Sequence, residues 1–219
     1  MSHKSRTIFI WDIHWCYDEL KLLIKRLDIQ KKDKIYFVGD YINKWPKSFK
    51  VVKFLYKNRE QYNWVLGNHD YYFFEKLKND VKLNKDEKKL YKKLKENPKI
   101  FKHFRELPFY IKWENFLLIH GWLIPGKKVK DHTAQEITNM RVYKNKPWYE
   151  YYEGDTKIIY GHWAMQWIHI WENVVWLDSG CCYWGHLTAY ILETWELIQQ
   201  GSLAQYAKID YSHVNPVFQ

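Results

Sequence analysis

The sequence predicts an α/β protein of two packed mixed β-sheets flanked by helices, in one domain over residues 1–219. Three observations predict it. The first half alternates short apolar runs with amphipathic stretches. From Phe109 the pattern turns to closely spaced β-type segments. Most of the apolar runs end in a small polar cluster, where open α/β sheets carry their sites.

In chain order, Thr7–Trp11 is a short apolar run, hence a buried strand. Tyr17–Leu27 places Leu20, Leu23, Ile24 and Leu27 on one helical face. Lys34–Val38 is a second strand, ending in Gly39-Asp40. Ser48–Arg59 reads as a helix with Val51, Val52 and Leu55 inward and Ser48 as N-cap. Asn63–Leu66 is a third strand, ending in Gly67-Asn68-His69-Asp70. Residues 75–106 form a helical, lysine-rich insertion, in which Asn84 and Glu87 make a capping box and Leu90, Tyr91 and Leu94 a buried stripe. Phe109–Trp113 and Asn115–Ile119 suggest a hairpin closing on His120-Gly121. Lys157–Tyr160 leads into Gly161-His162, and Asn173–Leu177 into Asp178-Ser179-Gly180. Leu187–Leu192 and Glu196–Gln199 finish a meander.

Composition narrows the class. Hydrophobic residues at 47% and charged residues at 27% are the balance of a soluble globular protein. No run of about 18 apolar residues exists to span a membrane. The first ten residues lack the apolar stretch and small-residue cleavage site of a signal peptide, so a cytoplasmic location is expected. Cys16, Cys181 and Cys182 include no CxxC pair, which speaks against a zinc ribbon, a redox motif or a disulfide framework. The net charge of +10 invites a polyanionic partner, but lysine supplies 30 of the 35 basic residues, as an AT-rich gene would encode. A nucleic-acid partner is therefore not expected, and the lysine run is read as solvated surface.

The residues at strand ends carry the chemistry. They are Asp12 and His14, Asp40, Asn68 and His69, His120, and His162. Alone, such a His is usually a hydrogen-bonded structural residue, and such an Asp a turn or cap. Together they deliver oxygen and imidazole groups from five strands to one edge. Two divalent ions about 3.5–4 Å apart need a bridging carboxylate, with His, Asp and Asn completing each shell. A water between the ions becomes hydroxide near neutral pH and attacks phosphorus in line, while both ions stabilise the developing charge. A neighbouring His can protonate the departing oxygen.

The blocks IWDIHWCYDEL, VGDYINK, VLGNHD, IHGW and YGHW resemble the five blocks of calcineurin-like metallophosphoesterases, over nearly the whole chain. The resemblance implies that family's sandwich fold and two divalent ions, with manganese in first place and iron, zinc, cobalt or nickel as alternatives. It implies that Asp12 and His14 hold one ion, Asp40 bridges, and Asn68, His120 and His162 hold the other. His69 resembles the general acid. Lys44 falls where the family usually has a phosphate-binding Arg, and keeps the charge without the bidentate fork. Ala164 stands where broader family members have a second His. KPWYEYY, GHWA and LDSGCCYWGHLTAY are similar to bacterial symmetrical bis(5′-nucleosyl)-tetraphosphatases, which split diadenosine tetraphosphate into two ADP. ITNMRVY also looks like theirs and makes Arg141 a candidate phosphate ligand. Ser/Thr protein phosphatases share the first four blocks and are the alternative, with a phosphoprotein as substrate. Asn43 stands where those phosphatases carry an Asp that supports the acid His, which leans toward anhydride cleavage.

Trp11, Trp15, Trp45, Trp122 and Trp184 fall where these motifs have Gly, and Trp167, Trp176 and Trp195 are candidates for the same substitution. Trp148 and Trp163 match tryptophans of the tetraphosphatase pattern. Glycine there permits positive φ and close backbone approach, so indoles are expected to crowd the site and strain the turns. A gene that reads UGA as Gly, translated with UGA as Trp, would give this pattern. An aromatic-rich natural variant is the simpler alternative, and a catalytically impaired binding module is a third reading.

Overall fold

The computed structural model describes residues 4–42, 47–140, 142–162 and 168–207. Asn43, Lys44, Trp45, Arg141, Trp163, Ala164 and Trp167 lie outside the described residues.

The chain begins with β1 (Thr7–Ile10), α1 (Tyr17–Leu27), β2 (Lys34–Phe37), α2 (Ser48–Lys57) and β3 (Tyr62–Trp64). Three helices follow: α3 (Asn68–Lys78), α4 (Lys85–Lys95) and α5 (Pro98–Arg105). Then come β4 (Tyr110–Lys112), β5 (Phe116–Ile119), α6 (Ala134–Asn139), β6 (Val142–Tyr143) and β7 (Lys146–Pro147). The chain closes with β8 (Lys157–Tyr160), β9 (His169–Ile170), β10 (Val174–Trp176), β11 (His186–Ile191) and β12 (Glu196–Gly201).

Two five-stranded sheets result, ordered β12-β11-β1-β2-β3 and β4-β5-β8-β10-β9. Each has three parallel strands in sequence, β1-β2-β3 and β5-β8-β10, with antiparallel neighbours outside them. Both sheets are thus mixed, as the sequence predicts. Alternation along β1 explains the packing. Phe9 points into the layer between the sheets, against Phe116, Ile159 and Val175. Ile8 and Ile10 point the other way, into a core shared with α1, α2, α4 and α5. A strand buried on both faces reads as an unbroken apolar run, which is why TIFI carries no polar alternation. The outer face of the second sheet packs Leu117, Ile119, Ile158 and Trp176 against Ile137 of α6 and Trp148.

The capping box forms as expected, with the Asn84 side chain accepting from Asp86 and Glu87 N–H and Glu87 returning to Asn84 N–H. Ser48 does not cap α2: Lys47 takes that place without a side-chain cap, and Ser48 is the first helical residue. The helical stretch also starts before residue 75, because α3 opens on Asn68 itself. No helix among the described residues is long and apolar enough to cross a membrane.

Backbone conformation sorts the tryptophans differently from the expectation. Trp11, Trp15 and Trp122 are buried core residues, at 1%, 2% and 0% exposure, and none is among the non-glycine residues with positive φ. Among the described tryptophans, strain falls only on Trp184, one of the five expected positions, at φ 82°, and on the candidate Trp195, at φ 61°. The indole N–H groups of Trp11, Trp15 and Trp122 are buried without partners, but so is that of Trp148. An unpaired N–H therefore does not separate the two sets of tryptophans, whereas φ singles out two of them.

Candidate metal centre

All the polar clusters lie at the C-terminal ends of the parallel strands. Asp12 and His14 follow β1, Asp40 follows β2, and Asn68 and His69 open α3 after β3. His120 follows β5 and His162 follows β8. Parallel strands bring those ends to one edge of each sheet, and packing the sheets brings the two edges together.

Asp40 is the hub. Ligand atoms of Asp12, Asp40 and His120 lie within 4.8 Å of one another, and so do those of His14, Asp40 and His69. Asp40 Oδ2 is 3.5 Å from His120 Nε2 and 3.8 Å from His69 Nε2. Its Oδ1 accepts the His69 backbone N–H at 3.0 Å. Asn68 Oδ1 sits 3.0 Å from His120 Nε2 and 3.0 Å from His162 Nδ1. His120 Nδ1 donates to the Val38 carbonyl at 2.7 Å, which turns Nε2 toward the centre. His162 Nε2 donates to the Asn139 carbonyl at 3.1 Å, which turns Nδ1 inward. Carbonyl acceptors of this kind orient metal-binding imidazoles. The six residues expected to hold metal thus converge. His69, expected as the general acid, joins the His14–Asp40 group.

Close approach requires two glycines. A Cβ on Gly67 would lie 2.2 Å from Asp40 Oδ1. Gly39 has φ +104°, and a Cβ there would lie 2.7 Å from Gly67 Cα and from His120 Nδ1. Four of the converging residues carry strain: Asp12, His14, Asp40 and His162 have φ of 23°, 45°, 56° and 83°. Such conformations cost on the order of 1–3 kcal/mol each and cluster at functional sites.

Two carboxylates belong to the site without having been singled out. Asp178, directly after β10, is buried beside Asp12 and interacts with it through their side chains. The strand-end rule that picked out the other candidates applies to it equally. Asp70 is fully buried, and its carboxylate accepts the N–H groups of Gly67 at 3.0 Å, Asp40 at 2.9 Å, Tyr41 at 3.1 Å and Ile42 at 3.3 Å. It clamps the Asp40 loop to the start of α3.

The charges ask for a cation. Burial, then Asp178 and Asp40, push the Asp12 carboxyl well above its ordinary value. Burial likewise raises Asp178, against hydrogen bonds from Asp12 and Gly180 that pull it down. Burial and the Asp40 charge push Asp70 up to about 8. Burial also pushes Asp40 up, but His120, His69 and His14 outweigh it and hold Asp40 well below the usual carboxylate range. His120 is raised by Asp40 against the opposing effect of burial. Asp12 Oδ1 is buried without a hydrogen-bond partner. Crowded buried carboxylates with an orphaned oxygen, ringed by oriented imidazoles, fit divalent ions.

A cleft of about 560 Å³ opens beside the centre. His69 forms part of its wall, together with Ile42, Phe49, Tyr72, Phe73 and Lys76. Tyr72 Oη accepts from Asn139 Nδ2 at 2.7 Å, joining α3 to α6 at this rim.

Known proteins agree with this arrangement. A model of the calcineurin-like phosphoesterase family matches residues 5–200. A symmetrical bis(5′-nucleosyl)-tetraphosphatase of Cellvibrio japonicus is 26% identical, over 88% of this chain and 97% of that protein. The asymmetrical bis(5′-nucleosyl)-tetraphosphatase PrpE of Oceanobacillus iheyensis is 28% identical, over 88% of this chain and 91% of that one. A solved structure provisionally described as a diadenosine tetraphosphatase superposes with a TM-score of 0.74 at 27% identity, covering 90% of this chain and 94% of its own. The chain belongs to the calcineurin-like phosphoesterase family, metal-dependent hydrolases of phosphoric esters and anhydrides.

Proposed function

We propose that the chain cleaves dinucleoside tetraphosphates symmetrically into two nucleoside diphosphates. Two divalent ions, manganese in first place, would be held by Asp12, His14, Asp40, Asn68, His120 and His162. The observation that carries this reading is Asp40's membership of both ligand groups, since one carboxylate common to two clusters is what a bridged pair needs. When bound, such a pair supplies Lewis acidity and an activated water for attack on phosphorus.

The chain's own residues orient and neutralise. Val38 and Asn139 carbonyls fix the rings of His120 and His162. Asp70 fixes the backbone of Asp40. His69 stands where the centre meets the cleft, with its side chain 38% exposed, placed to give a proton to a departing oxygen. Asn43, which by resemblance stands where protein phosphatases carry the Asp that supports this His, offers no carboxylate to stabilise an imidazolium. A nucleoside diphosphate leaves through a phosphate oxygen and needs that proton less than an alkoxide does, so this pairing suits an anhydride. Lys44 and Arg141 are assigned to substrate phosphates, as is Asn68. The cleft offers the Phe49, Tyr72 and Phe73 rings to a base, in a volume within the usual range of about 300–1,000 Å³ for small-molecule sites.

Incubation with diadenosine tetraphosphate and manganese, with products resolved by chromatography, tests the reading. Two ADP per substrate is expected. ATP plus AMP would mean asymmetrical cleavage, and turnover of a phosphopeptide alone would favour a protein phosphatase.

A further inference from the structure

We propose that Cys16, Glu19 and Cys181 form a second cation site, separate from the catalytic centre, for a soft divalent ion of the zinc class. One ligand atom from each lies within 4.8 Å of the other two. The residues are 0%, 0% and 3% exposed. Glu19 supplies an independent sign of a ligand. Its Oε1 accepts from Leu203 N–H at 2.9 Å and Tyr206 O–H at 2.6 Å, while Oε2 is buried without a hydrogen-bond partner. A buried carboxylate with a bare oxygen is costly unless a cation or donor meets it.

The donor set chooses the ion. Thiolates favour zinc-class ions, whereas oxygen-rich sites suit magnesium and manganese. Zinc–sulfur bonds of about 2.3 Å put tetrahedral ligands about 3.8 Å apart, inside the spacing seen here. Three protein ligands leave a fourth position for water. Binding changes no oxidation state: each thiol loses one proton to solvent, and the thiolates and carboxylate bind the ion. Residues 202–207 cover the site, with Tyr206 and Ala207 N–H donating to the Cys182 carbonyl at 3.1 and 2.9 Å. Tyr206 is only half-buried, which leaves an entry path at this edge. The site also has a structural consequence. Cys16 follows His14 by two residues and Cys181 follows Asp178 by three, so an ion here ties together two loops of the catalytic centre.

Cobalt(II) titration tests this by sulfur-to-cobalt charge-transfer absorption, which nitrogen and oxygen ligands do not produce. The protein is first checked to have all three thiols reduced. One charge-transfer cobalt per chain is expected in the native chain, displaceable by zinc, with two protons released per ion. The same band should survive Asp40→Asn, which empties the catalytic pair. Cys181→Ser should weaken binding at this site by about 100-fold or more, beyond the roughly 10–100-fold of an outer-shell loss. Glu19→Gln keeps an oxygen for Leu203 and Tyr206, and should cost at least about tenfold, the lower end of that outer-shell range. No charge-transfer band in the folded native chain overturns the site, as does a band unchanged by Cys181→Ser. If Cys181→Ser fails to fold, an unchanged cobalt affinity in Glu19→Gln overturns it. None of these outcomes bears on nucleotide hydrolysis, which the product assay judges separately.

Discussion

Asp70 Oδ2 accepts the backbone N–H of Asp40 at 2.9 Å, so a carboxylate that faces no ligand sets the position of the one that two ligand groups share. The same carboxylate gathers the N–H groups of Gly67, Tyr41 and Ile42. Asp70→Ala strands these buried donors, at about 1–3 kcal/mol for each that finds no water. We expect a lower melting temperature together with weaker metal binding, read by thermal denaturation and metal analysis. Full metal occupancy in a destabilised Asp70→Ala would show that Asp40 is positioned by something else.

Asp40→Asn removes the shared charge from both groups at once. Metal analysis of the purified variant should find both ions lost, and turnover should fall to near background. Substantial activity at full occupancy would contradict the bridging role.

Gly67→Ala pushes on the Asp40 loop. Gly67 has φ −92°, which any residue adopts, so its own dihedrals tolerate a side chain. The added Cβ would meet Asp40 Oδ1 at 2.2 Å and the Asp40 backbone N at 2.4 Å, so the carboxylate and its loop must both move, at some cost in stability. Activity should drop by about 100-fold, the loss that a misplacement of about 1 Å produces. A folded, fully active Gly67→Ala would mean that the carboxylate moves without consequence.

Trp184→Gly and Trp195→Gly should each stabilise the chain, because φ of 82° and 61° strains any residue with a Cβ. Relief of about 1–3 kcal/mol per site raises the melting temperature by several degrees in a chain of this size. Trp195 should gain less, since Lys157 Nζ lies 4.3 Å from its ring centroid and that cation–π contact is lost. Trp122→Gly should do the reverse. It empties a fully buried position, and large-to-small core changes cost about 3–5 kcal/mol. Differential scanning calorimetry of the three variants checks the order. The gene's codons provide a second check: UGA at Trp184 and Trp195 would fit glycine decoding, and UGG there would end it.

Arg6 and Asp33 should make part of the stability acid-labile. Burial pushes the Asp33 carboxyl up, but hydrogen bonds from Arg6 and the Gln30 N–H outweigh it and hold it below its ordinary value of 3.8. A lowered carboxyl stabilises the fold above the unfolded value and stops doing so as pH falls through the folded one. Native chain and Asp33→Asn should therefore differ in melting temperature at pH 7, with the difference shrinking once pH falls below about 4, where the unfolded carboxyl titrates, and gone only below the lower folded value. A constant difference across that range would remove the ion pair as the cause.

The sequence by itself determined the elements and most of the donor set. Helical spacing in Tyr17–Leu27, the Asn84–Glu87 box and the apolar run Lys157–Tyr160 are local signals, and the structure keeps them. Asp12, Asp40, Asn68, His120 and His162 were legible because each lies within about four residues of a strand's C-terminal end, and parallel strands end on one side. Tertiary structure decided what depends on distant partners. Only packing of the two sheets sets Asp178 against Asp12 and makes both carboxyls hard to ionise. Only the fold of the Asp40 loop over α3 turns the last residue of GNHD into a clamp. Spacing does not reveal which imidazole nitrogen faces the centre, because the Val38 and Asn139 carbonyls that choose it come from other segments. The tryptophans make the same point. Motif comparison marked Trp11, Trp15, Trp122 and Trp184 as misfits, with Trp195 a candidate; the first three fill core in the fold, and among the described tryptophans only Trp184 and Trp195 carry strained backbone. Residue type is local, whereas burial, charge balance and φ are imposed by what the rest of the chain packs around it.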